Sequence, residues 1–377
     1  MNFKVNLAGS IISQVDSCIQ TAVEYGVSDI HIEPYEMKVR VRYRLDGHLV
    51  EVSEIPVQKK DAIVSRIKVM ASLDIAEKRR PQDGRIKIQK VNQSDIDLRI
   101  SILPVQYGEK VVIRILDRSK LKLDLEALGF EVSELELFRR AIKQPYGLIL
   151  VTGPTGSGKS TTLYSALNEI NTPEKNIITI EDPIEYNLEG INQSQVHEDI
   201  GLTFASILRS ILRQDPNVVM VGEIRDKETA EIAIRASLTG HLVFSTLHTN
   251  DSISAISRLI DMGVAPFLIA ASLKLVLAQR LIRTLCKHCK SKQNRNDVYK
   301  PVGCDNCNKS GFRGRTSLIE ALEIDNQLTQ LISSTSSEAS LREYIQSTHM
   351  PMLKEAGEKK VLAGITTIDE VYRETIM

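Results

Sequence analysis

The sequence predicts an α/β protein in two main parts. A small α+β N-terminal domain with an antiparallel sheet precedes a domain built on a mostly parallel sheet. Three observations carry this. Residues 38–52 (KVRVRYRLDGHLVEV) alternate apolar and charged positions around Asp46-Gly47, the pattern of a hairpin with one buried face. From Gly129 the rhythm changes to continuous apolar runs (GLILVTG, NIITIED, NVVMVGE, HLVFSTLH) alternating with helical stretches, as strands buried on both faces require. Between the first of these runs and a helical stretch, residues 153–160 read GPTGSGKS.

The chain has 377 residues, enough for two or three domains. Residues 11–26 repeat apolar residues at helical spacing and stop at Gly26, a C-cap residue. Cys18 falls on the apolar side of that stretch and reads as core. After the hairpin, residues 57–76 suit a helix. Residues 84–91, 94–102 and 110–116 alternate like strands, closing an N-terminal domain over 1–117. Residues 118–128 (RSKLKLDLEAL) form a polar connector, read as the linker. The parallel-sheet domain spans 129–281, a basic cysteine-rich element 282–315, and a helical subdomain 316–377 with a polar turn and N-cap at Ser333–Ser340.

Composition narrows the function classes. Hydrophobic residues at 42% and charged residues at 25% exclude a disordered or fibrous chain. Lys+Arg and Asp+Glu are 48 each, so no global basic field points to sequence-specific nucleic-acid binding. The longest apolar stretch, Val264–Ala278, is interrupted by Lys274 and too short for a span, and the start carries no secretory signal. Five cysteines, four of them in two pairs, point to a reducing compartment and a metal site rather than a disulfide framework.

Residues 153–160 fit G-x-x-x-x-G-K-[ST] in the strand-to-helix context that motif needs. Gly153, Pro154, Thr155, Gly156, Ser157, Gly158, Lys159, Ser160 and Thr161 are therefore the candidate nucleotide-binding loop. The glycines let backbone N–H groups turn toward phosphate oxygens, and the following helix adds its positive end. Lys159 is expected on the β- and γ-phosphates of ATP and Ser160 on Mg²⁺.

Two further apolar strands end in acids. VVMVGE ends in Glu223, with Gly222 where many such proteins carry a metal-binding Asp. Glu223 is the expected handler of the attacking water. IITIEDPIEY ends in Glu181 and Asp182, which would support it by holding hydrated Mg²⁺ or orienting water, or else serve as turn acids. His241 and His248 bracket a third strand. His248 is expected to sense the γ-phosphate, His241 to lie by the nucleotide with a weaker claim. A lone His is often structural.

Cys286-x₂-Cys289 and Cys304-x₂-Cys307 suit a closed tetrahedral Zn²⁺ site, structural rather than catalytic, with an iron–sulfur site as the main rival. Between Arg280 and Arg315 ten Lys/Arg face two acids. That surface is read either as solvated or as a dock for an acidic partner or anionic lipid headgroups.

GPTGSGKST, IITIEDPIEY, LRQDPNVVMVGEIRDKETAEIAIRA and TGHLVFSTLHTNDS resemble the four nucleotide-site elements of the secretion-superfamily ATPases that drive type II secretion and type IV pilus machines. The likeness extends upstream through SDIHIEP (28–34), RYRLDG (42–47), RRPQDGRI (79–86) and LPVQYGEKVVIRIL (103–116). It implies a RecA-like ATPase domain, a homo-hexameric ring, and N-terminal-domain arginines reaching the nucleotide. Arg42, Arg44, Arg79, Arg85, Arg99 and Arg114 stand at those positions. It also implies a cytoplasmic protein, peripheral at the bacterial inner membrane and docked on a platform protein there. The four-cysteine element is similar to that of the assembly and secretion members, whereas retraction members usually lack it. The likeness begins almost at Met1, so the expectation is a chain without the further N-terminal partner-docking domain of many assembly ATPases. The rival expectation is a DNA-translocating or conjugative ATPase on the same core.

Overall fold

The computed structural model describes residues 5, 9–88, 96–117, 123–292, 298–334, 337–348 and 350–375. Parts of the expected strands (89–91, 94–95), of the expected linker (118–122) and of the polar turn (335–336) lie outside the described residues, as do Arg295 and Asp297. The chain forms two compact units, Met1–Leu121 with Gly303–Arg313 and Lys122–Val302 with Gly314–Met377.

The first unit contains α1 (Ile11–Tyr25), β1 (Asp29–Pro34), β2 (Lys38–Leu45), β3 (His48–Pro56), α2 (Lys60–Met70), β4 (Gln82–Ile88), β5 (Ile96–Val105) and β6 (Gly108–Asp117). Ser10 caps α1 by accepting from the Ser13 N–H, and Gly26 ends it in the left-handed conformation, as its place in the sequence requires. Asp46 and Gly47 both have positive φ, which closes the β2–β3 hairpin with the twist of its strands. The sheet order is β3-β2-β1-β6-β5-β4, and the adjacent strands are antiparallel. Period-2 alternation sends Ile30, Ile32, Val41, Tyr43, Leu98, Ile100 and Ile113 into one core with α1 and α2. The Tyr43 hydroxyl donates to the Cys18 carbonyl at 2.6 Å, and burial pushes the Cys18 thiol up to about 11. Cys18 is core, as its apolar neighbours suggest.

The second unit contains α3 (Val132–Ile142), β7 (Gly147–Thr152), α4 (Lys159–Ile170), β8 (Ile177–Glu181), β9 (Asn192–Gln195), α5 (Phe204–Ile211), β10 (Val218–Val221), α6 (Lys227–Leu238), β11 (Leu242–Leu247), α7 (Ser252–Asp261), α8 (Pro266–Ser272), β12 (Leu273–Leu285), β13 (Ser291–Lys292), β14 (Tyr299–Lys300), β15 (Phe312–Glu323), α9 (Asn326–Ser333), α10 (Glu338–Ser347), α11 (Leu353–Leu362) and α12 (Ile368–Thr375). Its sheet runs β15-β12-β7-β11-β10-β8-β9, and the pairs from β12 through β9 are parallel. Both faces are covered. Leu148 and Leu150 join a core with α5–α8, while Ile149 and Val151 join another with α3 and α4. Strands apolar at every position are the sequence signature of that double burial. The apolar stretch 264–278 divides between α8 and the start of β12, and no helix among the described residues is long and apolar enough to cross a membrane.

Candidate nucleotide site and metal centre

In a parallel sheet, loops at the carboxyl ends of the strands collect on one edge, where ligands bind. Here β7, β8, β10 and β11 deliver Gly153, Asp182, Glu223 and His248 to that edge. The loop from Gly153 turns sharply onto α4. Gly153 has φ 148, and a Cβ there would lie 2.4 Å from the Gln279 carbonyl oxygen, so only glycine fits. Lys159 Nζ is folded back on its own loop, donating to the carbonyls of Gly153 at 2.8 Å and Pro154 at 3.0 Å. Burial pushes its ammonium down to about 8, against the opposing pull of Glu223. The Ser157 hydroxyl is buried without a hydrogen-bond partner among the described residues, while Thr155, Gly156 and Ser160 are exposed. Ser160 is thus open to a cation and phosphate, and Thr161 follows in the first turn of α4.

Glu223 is held from two sides. Arg225 Nε donates to its Oε1 at 2.8 Å, and His248 Nε2 lies 3.2 Å from Oε2. Arg225 also reaches Asp182 at 3.3 Å and lies over the Phe204 ring. Burial, then the Lys159 charge, push the His248 pKa below the ordinary histidine range. Position 222 is tightly packed: a Cβ there would fall 3.0 Å from the Ile180 carbonyl oxygen, so a larger residue needs β8 to give by a few tenths of an ångström.

The second strand-end acid, Glu181, is turned inward. It accepts from Thr179 Oγ1 at 2.6 Å, from Gln193 Nε2 at 2.9 Å and from the Tyr164 hydroxyl, and it is only 4% exposed. Its oxygens are occupied by three donors, so it braces the end of β8 instead of facing the loop. His241 is not brought to the site. It precedes β11, a strand length from His248, and its carbonyl pairs with Gly147 at the start of β7. Its Nδ1 lies 3.0 Å from the Ala236 carbonyl oxygen, so within this chain it is an α6–β11 turn residue.

Sequence reasoning missed two ties beneath the loop. Thr152 Oγ1 donates to the Leu247 carbonyl at 3.0 Å and accepts from the Thr249 N–H at 3.0 Å, joining the end of β7 to the segment after His248. Gln279 accepts from Thr162 of α4 at 2.8 Å and donates to Ser317 at 3.3 Å. The signal is the polar pair Gln279-Arg280 inside an apolar strand, and Arg280 does not belong with the basic cysteine element. Arg280 is 3% exposed, and Arg283 is paired with Glu370 at 2.8 Å, so neither belongs to a solvated basic face.

The expected arginines lie in the first unit. Arg44, Asp29, Arg114, Arg99 and Arg85 form one cross-strand row on the face opposite the core. Asp29 pairs with Arg44 at 3.4 Å and Arg114 at 3.1 Å. Glu33 collects Arg42 at 2.8 Å, Lys110 at 3.1 Å and Arg40 at 3.2 Å. Burial raises the Glu33 carboxyl, but Arg42 and Lys110 outweigh it and hold it at about 2. Arg79 pairs with Glu77. Arg85 is exposed and makes no ion pair among the described residues.

The sulfurs of Cys286, Cys289, Cys304 and Cys307 lie within 4.8 Å of one another. Cys304 and Cys307 Sγ are 3.7 Å apart, close to the edge of about 3.8 Å of a tetrahedron with zinc–sulfur bonds near 2.3 Å. Cys307 Sγ also accepts N–H groups from Cys304 at 3.1 Å and Gly311 at 3.3 Å, which orient the sulfur. The donor set fits zinc.

A glycine-rich phosphate loop on the carboxyl edge of a parallel sheet, with a carboxylate and a histidine on neighbouring strand ends, defines a P-loop nucleoside triphosphatase. The chain belongs to the type II/IV secretion system protein family, whose model matches residues 5–373. It is 49% identical to the type IV pilus assembly ATPase PilB of Myxococcus xanthus, over 97% of this chain and 68% of that one. It is 50% identical to the type II secretion system ATPase E of Vibrio cholerae, over 97% and 75%. Among solved structures, the ADP-bound pilus retraction motor PilT is 28% identical, with a TM-score of 0.66 over 95% of this chain and 96% of that one. The Legionella pneumophila ATPase DotB shares the fold at 20% identity, with a TM-score of 0.76 over 99% and 98%. The protein is an ATPase of this secretion family.

Proposed function

We propose that this ATPase powers assembly of a type IV pilus or type II secretion pseudopilus, as a homo-hexameric ring at the cytoplasmic face of a bacterial inner membrane. The observation that carries the chemistry is Glu223 held between Arg225 and His248, on the strand edge that also bears the phosphate loop. The near-even identity to a pilus assembly and a secretion ATPase supports the assembly role.

On binding ATP, Lys159 leaves the Gly153 and Pro154 carbonyls for the β- and γ-phosphates. Ser160 holds Mg²⁺, which when bound neutralises charge across the phosphate oxygens. Glu223 orients and deprotonates the attacking water. Asp182 fixes it through Arg225, and Glu181 keeps the end of β8 in place. His248 reads the γ-phosphate. Arg42, Arg44, Arg79, Arg85, Arg99 and Arg114 stabilise phosphate charge once the ring assembles. The four cysteines hold structural zinc, an element that supports assembly over retraction. The exposed Lys287, Lys292, Lys300, Arg313 and Arg315 give a smaller basic surface for the membrane platform protein or anionic lipid.

The test is ATP hydrolysis per protomer across a protein-concentration series, beside Glu223→Gln. Activity is expected to rise steeply with concentration, and the variant to lose at least ~100-fold in kcat while still binding ATP. Flat activity per protomer would remove the ring, and an active variant would remove Glu223 from the chemistry. Zinc content is a second check. We expect one zinc per protomer, lost in Cys286→Ser with selective unfolding of the 284–312 segment.

A further inference from the structure

Arg280 is the one buried arginine among the described residues, it lies beneath the phosphate loop, and the roles above leave it unused. It lies on β12 at 3% exposure, yet no carboxylate among the described residues comes within ion-pair distance. Its donors go instead to main-chain oxygens on its own strand and on two distant segments, with a further bond from Nη2 to Asn250 Oδ1 at 3.4 Å. Nη1 donates to the Gln279 carbonyl at 3.3 Å, the oxygen that abuts Gly153. Nη2 donates to the Asn250 carbonyl at 2.8 Å, two residues after His248. Nε donates to the Glu374 carbonyl at 3.2 Å, in the last turn of α12. A cation there satisfies a helix-end carbonyl and opposes the negative end of the helix dipole.

The remainder of α12 is docked by different means. Arg283 grips Glu370 through Nε at 3.0 Å and Nη2 at 2.8 Å, and the Arg283 N–H adds a third bond at 3.1 Å. Val371 is fully buried, and a Cβ on Gly357 would collide with it at 2.3 Å. Helix α12 therefore has one anchor directed at the nucleotide loop and one that touches nothing in the nucleotide site.

We propose that Arg280 is a positioning residue that links the phosphate loop and the His248–Asn250 segment to docking of α12, so that nucleotide binding and helix docking strengthen each other. The fork geometry is what makes this possible. A guanidinium presents donors in fixed directions and spans three carbonyls, whereas an ammonium is a point donor. The Gln279 carbonyl is already fixed on β12 and abuts Gly153 of the loop; when phosphates order the loop and the His248 segment, the Asn250 acceptor becomes fixed as well, and the acceptor on α12 is held with it. The coupling is reciprocal by linkage. The proposal rests on nucleotide binding at the Lys159 loop.

The experiment combines hydrogen exchange with titration of a fluorescent ADP analogue plus Mg²⁺. In the unsubstituted protein, nucleotide is expected to slow amide exchange over 368–375 by ~5-fold or more, the low end of measured couplings. Arg283→Ala, which loosens α12 without touching the pocket, is expected to weaken ADP binding by a similar ~5-fold factor. Arg280→Lys keeps the charge and should abolish the nucleotide effect on 368–375 exchange. A purely structural Arg283 would lower the melting temperature and leave the affinity of the folded protein unchanged, and that result overturns the proposal. So does exchange over 368–375 that ignores bound nucleotide. If the analogue does not bind at all, the assignment of the loop fails together with the coupling. Binding without helix protection sinks the coupling alone.

Discussion

Each unit gathers cations, but it balances them differently. On the first unit's sheet, Arg40, Arg42 and Lys110 share Glu33, and Arg44 and Arg114 share Asp29. In the second unit, Lys159 and Arg280 are buried and lean only on carbonyl oxygens. The first arrangement is largely neutralised by its own carboxylates. The second is a buried positive site whose full charge has no counter-ion at contact. Burying an unpaired cation costs free energy, and an arriving anion recovers it. This contrast locates phosphate binding at Lys159 on physical grounds that the loop motif alone does not supply.

The largest expected effect follows directly. Lys159→Ala removes a buried cation that no carboxylate contacts, and nucleotide affinity should fall by ~100-fold or more in equilibrium titration, the worth of a buried charged contact. Glu33→Gln in the other unit should leave protomer affinity unchanged. Equal losses in both variants would break the contrast.

A second, smaller effect comes from titration. Burial lowers Lys159 to about 8 from the ordinary lysine value of 10.5. A depressed lysine costs stability below about pH 8, and that cost is relieved as pH rises from 8 toward 10.5. Bound phosphate restores the proton, so affinity should weaken above pH 8, by about tenfold at pH 9 relative to pH 7. In Lys159→Arg the cation does not titrate, and the profile should be flat over that range. A wild-type profile flat to pH 9.5 would show that Lys159 stays charged in the empty loop.

Much of this contrast is legible in the sequence. Alternation around Asp46-Gly47 set the hairpin and placed Arg40, Arg42 and Arg44 on one face. Continuous apolar runs set the parallel sheet, and G-x-x-x-x-G-K-S set the loop. Position along a strand was not legible. His241 and His248 both read as candidates flanking an apolar run, His248 the stronger, and only the carboxyl end of the parallel strand, where His248 sits, lies on the loop edge. Nor was partnership. Glu181 resembles Glu223 in sequence, but Tyr164, Thr179 and Gln193 occupy it, and those partners come from α4, β8 itself and β9. Arg280 and Arg283 counted as surface charge because each has an acceptor more than 80 residues away in α12. Local spacing reports faces, while tertiary crossings decide which polar groups are already satisfied.

The smallest effect tests whether the first unit's face is neutral because Glu33 makes it so. The Glu33 carboxyl is held at about 2, below its ordinary 4.5, chiefly because Arg42 and Lys110 overcome the opposing effect of burial. A depressed carboxylate contributes stability that is present above pH 4.5 and lost as pH falls through 4.5 toward 2. Glu33→Gln removes that charge at every pH and leaves three cations crowded on one side-chain amide. Unfolding of the first unit should then require about 2 kcal/mol less, given partners that are a quarter to a third exposed rather than buried. The variant should also gain what the second unit already has, a cationic site without a counter-ion. Inorganic phosphate at millimolar concentration should therefore raise the melting temperature of Glu33→Gln through this unit more than that of the wild type, by mass action on the folded state. If phosphate shifts both proteins equally, the face is not neutralised by Glu33, and the difference drawn between the two charge clusters does not hold.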